Sequence, residues 1–256
     1  MTLDALRWLL PLYPVCAVLL GARGIYHLFQ LESYQFPGYF RTLRRNPLHA
    51  WLPGLLLSAG CMLLYYLFDR ARIAWGEGWA LTATAIVLLA ASCLLGWAVA
   101  RLLTERNAKK KFVFTGRMKR LYGTSAVVLA ALSYLLAASP LAVLPALWPL
   151  LLPVWVALCG LLAWPLEKLI SECYFRDARR KLLANPRLIR IGITGSYGKT
   201  SVKHILGTLL SEKYPTLITP ASFNTPMGVS RAIRERLTPS HQVFVGEMGA
   251  RHVGDI

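Results

Sequence analysis

The chain contains no charged residue between Leu121 and Leu166, a run of 46 residues. One membrane-spanning helix needs only about 20 apolar residues, so this run is too long for a single span. Ser139 and Pro140 stand near its middle and are typical of a turn. The run therefore predicts two membrane-spanning helices, roughly 121–138 and 144–166. The 55% hydrophobic composition of the 256 residues also indicates a membrane protein.

Three further uncharged segments precede this run. Trp51–Phe68 has 18 residues and Trp79–Ala100 has 22, and each begins with a tryptophan of the kind that anchors a helix at the membrane interface. Trp8–Ala22 is shorter, with 15 residues and two prolines. We interpret it as the first span, because a cleaved signal peptide, the alternative, has a more basic start and a clearer cleavage site. Residues 1–166 thus predict an α-helical transmembrane domain of about five spans.

The charged residues between these segments predict the orientation. Residues 101–120 hold eight Lys or Arg and one acid, residues 23–50 are also basic, and residues 69–78 are balanced. The positive-inside rule places the basic loops in the cytoplasm. The N-terminus and the turn near residue 140 are then outside, and everything after Leu166 is cytoplasmic. No basic run accompanies a nucleic-acid-binding motif, so the net charge of +17 predicts contact with a lipid bilayer and not with nucleic acid.

Residues 167–187 are polar and basic, with apolar residues interleaved. Within them, Glu167–Asn185 predicts a helix that lies along the membrane surface and ends before Pro186. A plain linker helix is an equally good interpretation. In both cases the segment connects the transmembrane domain to a second domain, residues 188–256.

A glycine-rich segment, Gly192–Ser201, stands between a predicted strand and a predicted helix. Isoleucines alternate along the strand, at 189, 191 and 193. The helix is indicated by an apolar face that consists of Val202, Ile205, Leu206, Leu209 and Leu210. Strand, glycine-rich turn, Gly-Lys-Thr and helix is the context of a phosphate-binding loop, although Ile193 occupies the place of the usual first glycine. A glycine-rich turn with a surface lysine is the alternative.

The physical reason for a phosphate site is the exposed backbone. Glycines let the chain approach a polyphosphate closely, and the N–H groups at a helix N-terminus point at it. Lys199 would reach the β- and γ-phosphates of ATP, and the Thr200 hydroxyl would bind Mg²⁺. The residues predicted to bind the nucleotide in this loop are Gly195, Ser196, Gly198, Lys199, Thr200 and Ser201.

The rest of the chain predicts a parallel sheet. Pro215–Thr219 and Gln242–Val245 predict strands, and Met227–Leu237 predicts a helix between them. Strands that alternate with helices form parallel sheets, which bind ligands beyond the carboxyl ends of their strands. Glu247 follows the third strand at that edge. Residues 188–256 thus predict the start of an α/β P-loop domain.

Three motifs in this order resemble the Mur ligases: TGSYGKTSVKHILGTLLSE, ASFNTPMGV and VGEMGARHVGDI. The resemblance covers Ile189–Ile256 and is closest to the members that add D-alanyl-D-alanine to the cell-wall precursor. It implies a bacterial enzyme of peptidoglycan biosynthesis, and the predicted transmembrane helices place it in the plasma membrane. Such an enzyme uses ATP and Mg²⁺ to activate a substrate carboxylate as an acyl phosphate, and an amine then displaces phosphate.

The resemblance also implies roles for individual residues. Lys199 matches the family's phosphate-binding lysine and Glu247 its Mg²⁺-binding glutamate, so these two are the candidate catalytic residues. Thr200 and Glu247 are the candidate metal ligands, and Asn224 matches an asparagine of the ATP site. His252 matches a histidine whose role is open. The alternatives are an exposed strand-end acid for Glu247 and a simple turn residue for Asn224.

The expected function is that of a membrane-anchored, ATP-dependent carboxylate–amine ligase. Its partners would be ATP, a nucleotide- or lipid-linked muropeptide, and an amino acid or dipeptide amine. In the usual Mur ligases a soluble domain that binds the UDP-sugar stands where this chain has its transmembrane domain. The sequence ends at Ile256, before the amine-binding domain, so we expect the chain alone to be an inactive fragment. The alternatives are a transport or flippase component powered by the nucleotide site, and a catalytically silent scaffold.

Overall fold

The computed structural model describes residues 10–76, 78–103, 111–137, 143–220 and 223–249. The chain divides into two compact units, Met1–Trp164 and Pro165–Ile256. Each unit has a hydrophobic core of its own. The turn predicted near residue 140 and the predicted site residue His252 lie outside the described residues.

The first unit is helical. Its elements, in chain order, are α1 (Leu12–Gly21), α2 (Arg23–Leu31), α3 (Phe36–Arg45), α4 (Pro47–Trp75), α5 (Trp79–Leu103), α6 (Gly116–Ala137), a 3-10 helix η1 (Leu144–Leu151), and the start of the long helix α7 (Leu152–Ala184). Helix α1 is central, because it packs against α4, α5 and α6. Such helices satisfy their backbone hydrogen bonds internally, as a chain in a bilayer must.

The number of predicted spans needs correction. Among the described residues, three helices are long and apolar enough to cross a membrane: Pro47–Trp75, Trp79–Leu103 and Leu144–Ala184. Helices α1 and α2 form a fourth only if they count as one span bent by 44°. The span predicted at about 121–138 corresponds to α6, a helix of 22 residues that is not among these three. Its first turns carry basic side chains, at Arg117, Lys119 and Arg120.

Hydrogen bonds from buried tyrosine hydroxyls connect the helices of the first unit. The Tyr13 hydroxyl donates to the Ala85 carbonyl (2.9 Å), Tyr39 donates to the Pro153 carbonyl (2.8 Å), and Tyr26 donates to Ser125 (2.6 Å). A buried hydroxyl without a partner would cost free energy. These bonds therefore let the three tyrosine rings fill the core with their hydroxyls satisfied.

Two segments that the sequence predicts to be cytoplasmic contact each other. The side-chain Nε2 of Gln30 donates to the Val113 carbonyl (2.8 Å), and the Val113 N–H donates to the side-chain Oε1 of Gln30 (3.2 Å). The guanidinium of Arg117 lies over the Tyr34 ring, 4.2 Å from its centroid. The basic stretches around residues 30 and 113 therefore lie at the same end of the first unit.

The second unit contains a three-stranded parallel sheet, which confirms the predicted sheet. Its strands are β1 (Ile189–Ile193), β2 (Thr216–Ile218) and β3 (Val243–Glu247), and its helices are α8 (Lys199–Ser211) and α9 (Pro226–Arg236). The strand order is β1-β3-β2. Ile193 at the end of β1 lies opposite Glu247 at the end of β3. The carboxyl ends of both strands thus meet at one edge of the sheet.

Helix α7 differs from the predicted surface helix. Residues 167–184 continue the helix that begins at Leu152, and Pro165 lies inside it. The helix continues because strong helix formers, such as Glu167, Lys168 and Leu169, follow the proline. It ends before Pro186, as predicted.

The last turns of α7 pack into the second unit. Ala178 is buried in one apolar cluster with Val229 and Ile233 of α9. The Arg234 guanidinium donates to the Asp177 carboxylate at 2.6 Å. This part of α7 is therefore a structural element of the second unit and does more than connect two domains.

The apolar face predicted for α8 is wrong. Val202, Ile205 and Leu209 are 50%, 62% and 66% exposed, whereas Lys203 and Gly207 are buried. A Cβ atom at Gly207 would come within 2.6 Å of Ile218 Cγ2. Glycine is therefore what lets α8 lie close against β2, and this approach turns Lys203 towards the sheet.

Candidate functional site

The loop between β1 and α8 has the backbone that the phosphate-binding motif requires. Gly195 has φ +150° and Gly198 has φ +74°, conformations that favour glycine. The Lys199 ammonium donates to the Gly195 carbonyl at 2.6 Å, so the lysine folds back over the loop. Ser196 and Ser201 lie exposed in the loop and the first turn of α8. The first N–H groups of α8 have no partner within the helix and face the same side.

Glu247 is the centre of the site. It ends β3, and only 2% of its surface is exposed. The Thr200 hydroxyl donates to its carboxylate, 3.2 Å from Oε1 and 3.1 Å from Oε2. The Lys203 ammonium donates to Oε2 at 3.0 Å, which forms a buried ion pair. The two predicted metal ligands, Thr200 and Glu247, are thus in direct contact.

The β2 and α9 sides of the site fix Glu247 further. The Glu247 N–H donates to the Thr219 hydroxyl at 3.1 Å, and the Asn224 side chain contributes to lowering the pKa of the Glu247 carboxyl. The Asn224 carbonyl accepts from the Gly249 N–H at 2.7 Å. A Cβ at Gly249 would come within 2.8 Å of that carbonyl, so the approach requires glycine. Asn224 therefore lies at the site predicted for it and is held there by backbone contact.

The electrostatics of the site favour an ionised glutamate. Burial opposes the charge of Glu247, but the hydrogen bonds from Lys203 and Thr200 outweigh it. Together they hold the pKa of Glu247 below its ordinary value. The carboxylate is therefore charged at neutral pH although it is buried.

The donor set fits Mg²⁺ bound together with a polyphosphate. Mg²⁺ takes oxygen ligands and is commonly held by one or two carboxylates and the phosphates of the substrate. A hydroxyl and a carboxylate, from Thr200 and Glu247, converge here beside the phosphate loop. Within the described parts of the chain, no group of three or more His, Cys, Asp or Glu side chains could hold a metal ion alone.

The sequence did not identify Lys203. The signal that could have found it is its spacing, because Lys203 lies one helical turn after Lys199 and therefore on the same face of α8. The predicted apolar face included Val202, Ile205 and Leu209, which are exposed, and left out Lys203, which is buried. Gly195, Gly198, Lys199, Thr200, Asn224 and Glu247 lie in or next to this edge of the sheet, as the predicted site requires.

With this geometry established, the chain can be compared with known proteins. Residues 193–255 match the Mur ligase middle domain. The chain is 38% identical over 71 residues to the UDP-N-acetylmuramoyl-tripeptide–D-alanyl-D-alanine ligase of Treponema pallidum, which covers 28% of this chain and 15% of that protein. It is 42% identical over 66 residues to the ligase of the same name from Escherichia coli, which covers 26% and 14%.

A solved structure, that of MurF from Acinetobacter baumannii, is 38% identical and covers 33% of this chain and 18% of that one, with a TM-score of 0.32. In the two curated relatives, the part that matches this chain is about 15% of their length. The matched residues include the phosphate loop and Glu247. The similarity thus falls on the part of the chain in which the candidate site lies.

Proposed function

We propose that residues 188–256 bind MgATP for a Mur-type ligase, and that the whole protein joins a carboxylate to an amine in peptidoglycan synthesis. The observation that supports this most is the convergence of Thr200 and Glu247 beside the glycine-rich loop. The similarity to the Mur ligase middle domain supports the reaction class. Within this class, the reaction that we propose is the addition of D-alanyl-D-alanine to a nucleotide- or lipid-linked muropeptide.

Each element of the site has a physical task in this proposal. The N–H groups at the start of α8 would bind phosphate oxygens, and Lys199, which here donates to the Gly195 carbonyl, would supply positive charge to the β- and γ-phosphates. Thr200 and Glu247 would hold Mg²⁺, and Asn224 lies on the side of the site near α9. Bound MgATP supplies the phosphoryl group that activates a carboxylate as an acyl phosphate. Phosphoryl transfer depends mainly on positioning and charge neutralisation, which these residues can supply.

We also propose that the protein is anchored in the bacterial plasma membrane with this site in the cytoplasm. The three long apolar helices support an anchor. Large apolar side chains are exposed on them, such as Leu63 at 56%, Val87 at 64% and Leu94 at 65%. Surfaces of this kind belong in lipid. The contact between Gln30 and Val113 supports the orientation, because it joins both basic stretches at one end.

The nucleotide site is tested by measuring MgATP binding to the full chain in lipid nanodiscs. Lys199→Ala should weaken binding by about 1.5–3 kcal/mol, or ten- to a hundredfold, because a charged hydrogen bond to phosphate is lost. Lys213→Ala removes an exposed lysine just after α8 and is the matched control, which should bind as the wild type does. Equal affinity in wild type and Lys199→Ala would remove the phosphate-loop assignment.

The reaction class is tested by the conditions under which ADP forms. In membranes that contain the protein as the cell makes it, a ligase should release ADP only when both a muropeptide acceptor and D-alanyl-D-alanine are present, in step with amide product. ATP hydrolysis at the same rate with and without the amine would favour the transport alternative. The assay separates the two functions because a ligase consumes the amine as a substrate and a transporter does not.

A further inference from the structure

Lys203 is a residue to which the proposed function assigns no task. Its side chain is fully buried, and its ammonium lies 3.0 Å from Glu247 Oε2. The side chain of Glu247 is 3% exposed, so the pair is almost entirely removed from water. Among the described residues, Glu247 is the side-chain partner of this ammonium.

A buried ion pair of this kind is a poor way to stabilise a fold. Removing two charges from water costs free energy that their attraction often fails to recover, so apolar residues of similar volume usually serve a core as well or better. A leucine or methionine at position 203 would suit the helix equally. The lysine is therefore best explained by the carboxylate that it faces.

The charge of Lys203 changes what that carboxylate can bind. An unpaired buried carboxylate attracts any divalent cation, whereas the pair of Glu247 and Lys203 has no net charge. A cation taken up by the same carboxylate would also be repelled by the ammonium beside it. The negative charge needed to hold the cation must then come from another source, and the phosphates of a nucleotide are such a source.

We infer that Lys203 makes the site selective for a metal–nucleotide complex over the free metal ion. This inference rests on the proposed function, because it assumes that Glu247 binds the metal of MgATP. The Lys203 ammonium donates to Glu247, so Lys203 acts through that carboxylate and is a specificity-determining residue for the ligand. Its consequence is that Glu247 does not hold a free divalent cation in the absence of nucleotide.

The test measures Mn²⁺ binding, by electron paramagnetic resonance, to the full chain in nanodiscs without nucleotide. Lys203→Met should bind Mn²⁺ about tenfold more tightly than the wild type, because a like charge beside the cation is removed. Lys213→Met, which removes an exposed lysine from the same region, is the matched control and should not change Mn²⁺ binding. Unchanged or weaker Mn²⁺ binding by Lys203→Met would overturn the inference.

Two further measurements keep the inference falsifiable if that variant folds poorly. The double variant Lys203→Met/Glu247→Gln replaces the ion pair by a neutral pair and should lose the gain in Mn²⁺ affinity. In the wild type, tight Mn²⁺ binding without nucleotide that Glu247→Gln abolishes would overturn the inference without any change at position 203. Binding of MgATP to the wild type tests the proposed function separately, so that failure of either statement can be distinguished.

Discussion

The closeness of α8 to β2 leads to a prediction for Gly207. A Cβ atom added there would lie 2.6 Å from Ile218 Cγ2, 3.5 Å from Cδ1 and 3.8 Å from Cβ. Only the first contact is shorter than the normal separation of about 3.5–4.0 Å between carbon atoms. Isoleucine is β-branched and stiff at χ1, so Cγ2 cannot move away without the strand. Gly207→Ala must therefore push α8 away from the sheet.

The magnitude follows from two opposing effects. Overpacking of this kind costs about 1–3 kcal/mol. Alanine in place of glycine inside a helix returns up to about 1 kcal/mol. We expect a net loss of about 1–2 kcal/mol in the stability of the second unit. Displacement of α8 also separates Thr200 and Lys203 from Glu247, so MgATP affinity should fall as well.

Hydrogen-exchange mass spectrometry on peptides from α8 and β2 measures this loss. The method suits the second unit because the eight tryptophans of the chain all lie in residues 1–164, where fluorescence would report the other unit. Thr208→Ala is the matched control: it gains helix propensity on an exposed position of the same helix and should not lower protection.

A double-mutant cycle identifies the cause. In an Ile218→Ala background, Cγ2 is absent and Gly207→Ala should cost nothing. In an Ile218→Val background, Cγ2 remains and the full cost should persist. Equal cost in both backgrounds, or stabilisation by Gly207→Ala alone, would refute the close approach of α8 to β2.

Two further predictions concern other parts of the chain. Arg234 holds the pKa of Asp177 below its ordinary value through a hydrogen bond, so the pair stabilises the second unit above the ordinary carboxyl pKa of about 4, and this contribution is lost as pH falls further. Exchange protection at the end of α7 should therefore decrease in acid, and Asp177→Asn should flatten that dependence; an unchanged profile in the variant would contradict it. For the topology, an impermeant thiol reagent on intact cells should label Gly78→Cys and should label Lys111→Cys only after permeabilisation. Strong labelling of Lys111→Cys in intact cells would reverse the orientation.

The parts of the second unit that the sequence predicted are those whose information is local. Alternating isoleucines, closely spaced glycines and the Gly-Lys-Thr run together predict β1, the loop and the start of α8. Each of these signals lies within a few residues of the structure that it specifies. The observed bounds of β1, β2, β3 and α9 differ from the predicted ones by one or two residues, which is the usual uncertainty of element ends.

The first unit shows where local signals stop being sufficient. A run without charge predicts that a segment is apolar, but it does not show where a helix starts or bends. The predicted first span, Trp8–Ala22, corresponds to α1, and the basic segment after it, predicted to be a loop, begins with a second helix, α2, which meets α1 at 44°. The predicted fourth span became α6, with basic residues in its first turns. In both cases the bounds of the helix differ from those of the uncharged segment.

Lys203 could not have been found by hydrophobicity, because it stands where a core residue would be expected. Its partner Glu247 lies 44 residues later in the chain, and the two meet only because β1 and β3 pair in parallel and Gly207 brings α8 onto the sheet. An apolar residue at 203 would leave a buried carboxylate unpaired, and loss of one partner of a buried ion pair costs about 3–5 kcal/mol. The stability of the fold and the binding of a metal ion thus favour different residues at this position. The fold alone would accept a hydrophobic pair at 203 and 247, whereas metal binding requires the carboxylate, and the buried carboxylate in turn requires the lysine.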